Sequence, residues 1–232
     1  MIEYIIDEEY ESVRVDRFLR KHLKNINLSE IYKMLRKGKI KVNNKKISQD
    51  YRLILGDIVF IFLPENFKEN NEEKFIELSQ ERKEKLKEMI VFENDSLFVI
   101  NKLFGDVVHK GSGHDISLLE EFRSYYSNNN INFVNRIDKL TSGLVIGAKN
   151  IKTAREIAKE IQSGNIVKKY YILVNGKIEK DDFIIENYLK KDEEKVIVSD
   201  VEKDGYKKSI THFKKIKEYN KYTLLEAELK TG

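Results

Sequence analysis

One carboxylate occupies the most chemically suggestive stretch of this chain, Asn135-Arg136-Ile137-Asp138-Lys139-Leu140-Thr141-Ser142-Gly143. Asp138 lies among apolar neighbours, and a Thr-Ser-Gly turn separates it from the apolar run Leu144 to Ala148. That order reads as a strand end, a turn and a buried segment, with the carboxylate at the corner. An Asp at such a corner ordinarily caps a turn. The chemical alternative is a nucleophile, because a partly buried carboxylate reacts well when nearby cations and donors keep it ionised. Arg136 is the cation at hand. A second candidate is Tyr170 in the run Lys168-Lys169-Tyr170-Tyr171-Ile172-Leu173-Val174. A tyrosine there either packs in a core, stacks on an extruded base or assists proton transfer.

Other chemistries find little footing. With no Cys in the chain, disulfides, thiolate metal sites and a cysteine nucleophile are excluded. His22, His109, His114 and His212 lie apart, without the paired spacing of a metal-ligand set. His109 and His114 flank a glycine-containing loop, and either touch a phosphate or bond locally. Gly111-Ser112-Gly113 lacks the Lys-Ser/Thr ending of a nucleotide-binding loop, and no dinucleotide fingerprint is present. Asp181-Asp182 and Glu193-Glu194 read as turn charges. Hence neither metal nor nucleotide cofactor is expected. No apolar run approaches the ~18 residues of a membrane span. The acidic, mixed start has no secretory pattern. These features set an expectation of a cytoplasmic protein with no membrane partner.

The chain of 232 residues carries a formal charge of +4, but the distribution says more. Between residues 14 and 46 lie Arg14, Arg17, Arg20, Lys21, Lys24, Lys33, Arg36, Lys37, Lys39, Lys41, Lys45 and Lys46, opposed only by Asp16 and Glu30. Such a segment either attracts phosphate backbones with a strong salt dependence or is simply a solvated lysine-rich surface.

The elements that would position these groups follow from periodicity. Val13, Phe18, Leu19 and Leu23 predict a short amphipathic helix over 13–24. A second helix starts near Ser29, with Asn27 and Leu28 as alternative starts, and ends at Gly38. Ile40 to Ile47 around Asn43-Asn44 predicts a tight hairpin. Ile54-Leu55 and Ile58 to Phe62 around Gly56-Asp57 predict a second pair. Residues 65–88 alternate Glu with Lys and Arg and read as a charged linker, helical from Ser79 onwards; the single Pro, Pro64, precedes them. Thereafter strands are predicted at 91–93, 97–100, 107–108, 170–174, 184–189, 195–198, 210–217 and 222–229, the last as an interior strand. Helices are predicted at 118–126 and 151–161. The expected class is α+β: a small α/β module over 1–63, a linker over 64–88, and a mixed, mainly antiparallel sheet with flanking helices over 89–232.

These blocks resemble, over the whole chain, the large-subunit-type RNA pseudouridine synthases that carry an N-terminal S4-like RNA-binding domain. Arg14-Val15-Asp16-Arg17-Phe18-Leu19, then Gly38-Lys39-Ile40-Lys41-Val42-Asn43 and Gly56-Asp57, are similar to the S4 pattern. Asn101-Lys102 with Val107-Val108-His109 resembles the first block of the catalytic domain. Arg136-Ile137-Asp138 with Thr141-Ser142-Gly143-Leu144 resembles the signature around the catalytic Asp. Lys168 and Tyr170 with Leu173-Val174 resemble the block that holds the active-site Tyr.

The resemblance implies that Asp138 detaches uracil from its ribose, by attack or by assisting glycosidic cleavage, before the base rotates and rejoins through C5. It implies a stacking and proton-handling role for Tyr170, and support from Arg136, Asn135, Thr141, Lys102 and Lys168. It implies RNA contacts by Arg14, Arg17, Arg20, Lys21, Lys33, Arg36, Lys37, Lys39 and Lys41, structured RNA of the large ribosomal subunit as partner, no cofactor, and a monomer when complete.

There are departures. Asn135 stands where the family usually has His, and Leu103 where Pro usually follows. Leu229-Lys230-Thr231-Gly232 resembles the start of a last motif that continues Arg-Thr-His-Gln-Ile-Arg in the family. The expectation is therefore of a truncated pseudouridine synthase fold whose 232-residue form is inactive, less stable than an extended one and prone to associate. The alternative is a non-catalytic S4-type RNA-binding protein with a degenerate synthase domain.

Overall fold

The computed structural model describes residues 1–23, 26–63, 75–110, 116–192 and 195–231. Pro64, the first part of the charged stretch (64–74), the Gly111-Ser112-Gly113 loop with His114, and Glu193-Glu194 lie outside the described residues.

The first elements are β1 (Ile2–Ile5), α1 (Val15–His22), α2 (Leu28–Arg36), β2 (Ile40–Val42) and β3 (Ile58–Ile61). They enclose one core of Ile6, Val15, Phe18, Leu19, Leu23, Ile31, Met34, Leu35 and the inward residues of the sheet. Asn27 is the cap of α2, its side chain accepting from the Glu30 amide at 2.9 Å. Ser29 therefore lies within the first turn. The strand order is β1-β3-β2, all antiparallel. This corrects both predicted hairpins. Asn43 and Asn44 do adopt positive φ (49° and 63°), but the returning segment makes a single bridge, Val42 to Lys45. Ile54 and Leu55 are exposed, and β3 pairs with the N-terminal strand instead. That strand is hidden in the sequence by its acidic surroundings. The 54–57 turn is built on the buried Asp57, which accepts from the Ile54 amide (2.9 Å), Tyr51 Oη (3.0 Å) and Asn43 Nδ2 (2.7 Å).

Next come α3 (Gln80–Met89), β4 (Ile90–Glu93), β5 (Leu97–Lys102), α4 (Leu118–Tyr125), β6 (Asn132–Phe133) and β7 (Gly143–Ala148). Ser79 caps α3 as its spacing predicts. This helix is packed rather than a solvated spacer: Leu86 and Met89 are buried, and Arg82 grips Glu121 of α4 with two bonds of 2.7 Å. Val107 and Val108 form no strand; their carbonyls accept from the Leu118 and Leu119 amides and so satisfy the N-terminus of α4. The antiparallel sheet β4-β5-β7-β6 packs Phe98 on Phe122 with ring centroids 5.1 Å apart. Gly147 makes room for this: a Cβ there would sit 2.2 Å from the Phe98 ring.

Helix α5 (Ile151–Gln162) has no fully buried residue, and its Ala154, Ile157, Ala158 and Ile161 are half-buried. Its first turns hold the segment before α1. Arg155 donates to the carbonyls of Glu9 (3.1 Å) and Glu11, and Lys152 meets Glu8 at 3.1 Å. The chain divides into compact units Met1–Glu156 and Ile157–Gly232, so the N-terminal module and the first sheet share a unit.

The second unit contains β8 (Lys168–Asn175), β9 (Asp182–Asp192), β10 (Lys195–Ser199), β11 (Lys207–Glu218) and β12 (Tyr222–Leu229), in the antiparallel order β10-β9-β11-β12-β8. β12 is interior, as its sequence predicts. Directly opposed residues share a face, so Tyr170, Ala227, Phe213 and Phe183 form one row across four strands. Phe183 stacks on Phe213 at 5.2 Å. The other face carries the pairs Lys169–Glu226, Lys208–Glu186 and His212–Asp182. β8 is not the buried strand its apolar run predicts: it alternates, with Tyr171 and Leu173 exposed, because it lies at the end of the sheet order. The class is α+β as expected, and every strand pairing described is antiparallel. No helix among the described residues is long and apolar enough to cross a membrane.

Candidate active site

Strand β6 ends at Phe133, yet the chain stays beside β7 for two more residues. The Val134 amide donates to the Ile146 carbonyl at 2.9 Å. Asn135 then uses its side chain as a substitute peptide group: Oδ1 accepts from the Ile146 amide at 2.8 Å and Nδ2 donates to the Leu144 carbonyl at 3.3 Å. The backbone is thereby free to leave the sheet with the β7 groups still satisfied. Ile137 turns inward and is buried, which puts Arg136 and Asp138 outward. The Thr141 amide donates to the Asp138 carbonyl at 3.0 Å and closes the turn. Asp138 is exposed, not partly buried as its apolar neighbours suggest. Alternation around Ile137 is the reason. Among the described residues, neither Asp138 nor Arg136 has an ion-pair partner.

The turn is held from below by Lys102. This side chain ends β5 on the core face and is 0% exposed. Its ammonium donates to three backbone carbonyls, Leu103 at 2.9 Å, Asp106 at 2.9 Å and Lys139 at 3.3 Å. Three acceptors use all three N–H groups of the charged form. Burial pushes the Lys102 pKa down, while the carboxylates of Asp106 and Asp138 act in the opposite direction. The loop 103–106 is joined to the turn a second time, by the Gly105 amide on the Lys139 carbonyl at 2.9 Å. Gly105 has a φ of +94°, which side-chain-bearing residues rarely adopt. One buried cation thus fixes both loops that flank Asp138.

His109 is half-buried, and its ring meets Phe133 edge-on at 6.4 Å. Burial is the main cause that holds its pKa below the usual value, followed by the positive charges of Arg136 and Arg123; Glu120 opposes them. Arg123 belongs to the support of the site and escaped sequence reasoning. Its guanidinium reaches the Ile131 carbonyl (3.0 Å) and Asn132 Oδ1 (3.1 Å), tying α4 to the start of β6. Asp106 was also missed, and its Oδ2 is buried without a hydrogen-bond partner. Neither had a sequence signal beyond its charge.

The structure brings Asn135, Arg136, Asp138, Thr141 and Lys102 together. Tyr170 and Lys168 are placed in the second unit, half-buried on β8, opposite Ala227 and Leu229.

Comparison with known proteins decides what this arrangement belongs to. Residues 96–232 match the family model described as RNA pseudouridylate synthase, and residues 13–59 match the S4 domain. The chain belongs to the RNA pseudouridylate synthase family. Membership makes it an isomerase that acts on RNA. Ribosomal large subunit pseudouridine synthase C of Vibrio vulnificus is 33% identical over 228 residues, covering 98% of this chain and 71% of that protein. The same-named protein of Buchnera aphidicola subsp. Schizaphis graminum is 35% identical over 235 residues, covering 98% and 72%. That of Escherichia coli is 32% identical over 225 residues, covering 94% and 69%. The solved structure of human RNA pseudouridylate synthase domain containing 4 shares the fold, with a TM-score of 0.54 at 17% identity, over 65% of this chain and 62% of that one.

The S4 domain of this synthase sorts its cations. Arg17, Arg20, Arg36, Lys37 and Lys39 are exposed, as is Lys33, which meets Glu30 at 3.2 Å. Arg14 instead binds Asp16 through two bonds, of 3.1 and 2.8 Å, and Asp16 also accepts from Tyr32 Oη at 3.2 Å. Lys21 is engaged with Glu9 at 3.9 Å and with Asn130. Lys41 is half-buried, its ammonium 5.8 Å from the centre of the Phe62 ring. His22 stacks on Phe18 at 4.3 Å inside the module.

Proposed function

We propose that this synthase converts specific uridines of large-subunit ribosomal RNA to pseudouridine, with Asp138 as the reacting carboxylate. The observation that carries the reading is the turn itself: an exposed carboxylate on backbone pinned by Lys102, Gly105 and Asn135, beside an exposed Arg136. A reacting group held by its surroundings needs little reorganisation when the substrate arrives. The uridine must first leave its helix to reach it. Asp138 then attacks the sugar or assists loss of the base, and the C1′–N1 bond breaks. The uracil rotates and C5 bonds to C1′, releasing the Asp138 carboxylate where it had attacked that carbon. The proton on C5 leaves and N1 gains one, so the change is an isomerisation without oxidant or cofactor. Tyr170 serves as the stacking and proton-handling group. Lys102 touches no substrate in this scheme; its ammonium is used up by carbonyls. The names of the relatives above support ribosomal RNA as the substrate, and the exposed cations of the S4 domain support its capture.

The test is tritium release from ribosomal RNA labelled at C5 of uridine, comparing the protein with Asp138→Asn. The variant should release only background tritium and keep its RNA affinity, because a carboxylate repels phosphates rather than binding them. Equal release by both would end the assignment of Asp138. Release by neither, with RNA still bound tightly, would leave an RNA-binding protein without this activity.

A further inference from the structure

We infer that Phe104 and Leu140 form an apolar platform beside Asp138, on which the base of a nucleotide neighbouring the target uridine rests once it has left the RNA stack. The inference rests on the proposed function and extends it to residues that choose the substrate.

Both side chains are 69% exposed, and Leu103 next to Phe104 is 56% exposed. Leu140 occupies the third position of the turn closed by the Thr141 amide on the Asp138 carbonyl. Turn centres are ordinarily taken by Gly, Asn, Asp or Ser, which supply the backbone shape at no apolar cost. A leucine there adds nothing to folding that a polar residue would not. Phe104 likewise sits in a turn, before a glycine with a φ of +94°.

The two turns are also not independent. Phe104 precedes Gly105 and Leu140 follows Lys139, and Gly105 and Lys139 are hydrogen-bonded to each other. The Lys102 ammonium adds a bond to the same Lys139 carbonyl and to both ends of the 103–106 loop. Exposed apolar groups on backbone this firmly held are preorganised for a ligand.

Charge selects the ligand. The same turn exposes Lys139, and Arg136 lies two residues before Asp138. An apolar, partly aromatic surface edged by cations fits an unpaired nucleotide, which offers a flat base and a phosphate together. Extruding the uridine would leave its neighbours without a stacking partner, and the platform offers one of them a replacement.

The experiment uses ribosomal RNA fragments that the protein modifies, with 2-aminopurine placed on either side of the modified uridine. Phe104→Ala should lower kcat/KM about tenfold, the scale of one base–aromatic stack, mainly through KM. It should also abolish the fluorescence change of the probe on one side. Phe104→Trp should restore both, and Leu140→Ala should show a smaller loss of the same kind. Both positions are exposed, so the melting temperature should hold in every variant. If Phe104→Ala, Leu140→Ala and their combination keep kcat/KM within twofold and keep the probe signal, while Asp138→Asn is inactive, the platform is wrong and the chemistry stands. If Asp138→Asn remains active, the proposed role of Asp138 fails, and the probe signal still decides the platform separately. A salt-sensitive loss of binding without change in the probe would mean that the region meets phosphates alone, which also overturns the inference.

Discussion

The two sheets of the catalytic region are held together in different ways. In β4-β5-β7-β6 the core residues Phe98, Ile100, Phe133 and Val145, with Phe122 of α4 packed on them, are buried at no more than 6% exposure, and a buried lysine closes one end. In β10-β9-β11-β12-β8 the buried set shrinks to Ser199, Thr223, Leu225 and Ala227, while Tyr171, Leu173, Ile184, Val196 and Val198 are exposed. The second sheet owes its order chiefly to long antiparallel ladders. The first owes it to side chains that leave each other no alternative position. Asp138 is carried by the first kind of sheet and Tyr170 by the second. In the proposed mechanism a carboxylate that reacts at one atom would gain most from a fixed mount, and a tyrosine that stacks on a base would tolerate more latitude.

The sharpest way to break the contrast is Gly147→Ala. With the Phe98 ring 2.2 Å from the new Cβ, we expect a loss of about 3 kcal/mol, the upper range for overpacking. Chemical denaturation would measure it. Leu173→Thr, on the exposed side of β8, should stay within about 0.5 kcal/mol. Similar losses at both sites would show that the two sheets are equally packed.

Lys102→Met is expected next in size. It leaves three carbonyls without their donor, and one such orphan costs about 1–3 kcal/mol when it stays buried; rewetting of the loops should hold the total near ~2 kcal/mol. Steady-state kinetics should show kcat falling more than KM, because the Asp138 turn loosens while the surfaces that bind RNA remain. A rise in KM with kcat unchanged would count against a positioning role.

The smallest effect concerns acid. The folded pKa of His109 lies below its ordinary value of 6.5, so the unfolded chain takes up the proton first as pH falls. The stability that the neutral ring contributes is complete above that value and declines below it, by at most about 1.4 kcal/mol per pH unit for a single proton. Melting curves from pH 7.5 to pH 5 should show this decline, and His109→Asn should flatten it. An unchanged slope would place the acid sensitivity elsewhere.

Much of this was legible in the sequence. The helices at α1, α4 and α5, the Ser79 cap, the interior placement of β12 and the run at β7 follow from local periodicity. So do the Asp138 turn and the two positive-φ asparagines. Much of what escaped depends on distant partners. Nothing near Ile2–Ile5 reveals that β3 will choose it over Ile54-Leu55, because the choice lies in a shared core with Phe18 and Ile31. Val107-Val108 has strand composition, but its carbonyls are claimed by a helix ten residues later. Asp138 was placed in the right turn with the wrong exposure, since one inward residue, Ile137, reverses the side on which its neighbours emerge. Arg14 and Lys21 counted as part of a basic patch, yet each is engaged by an acid that composition alone could not pair with it.

Asn135 has a consequence beyond aiming the chain towards Asp138. β6 covers only the far half of β7, at Gly147 and Ala148. The near half, around Leu144 to Ile146, would otherwise present bare amide and carbonyl groups, the template on which a stray strand assembles. The Asn135 amide occupies those groups on both sides of Val145. It works as a one-residue edge guard: it leaves those groups no free bond to offer another chain, and Asp138 three residues on stays exposed.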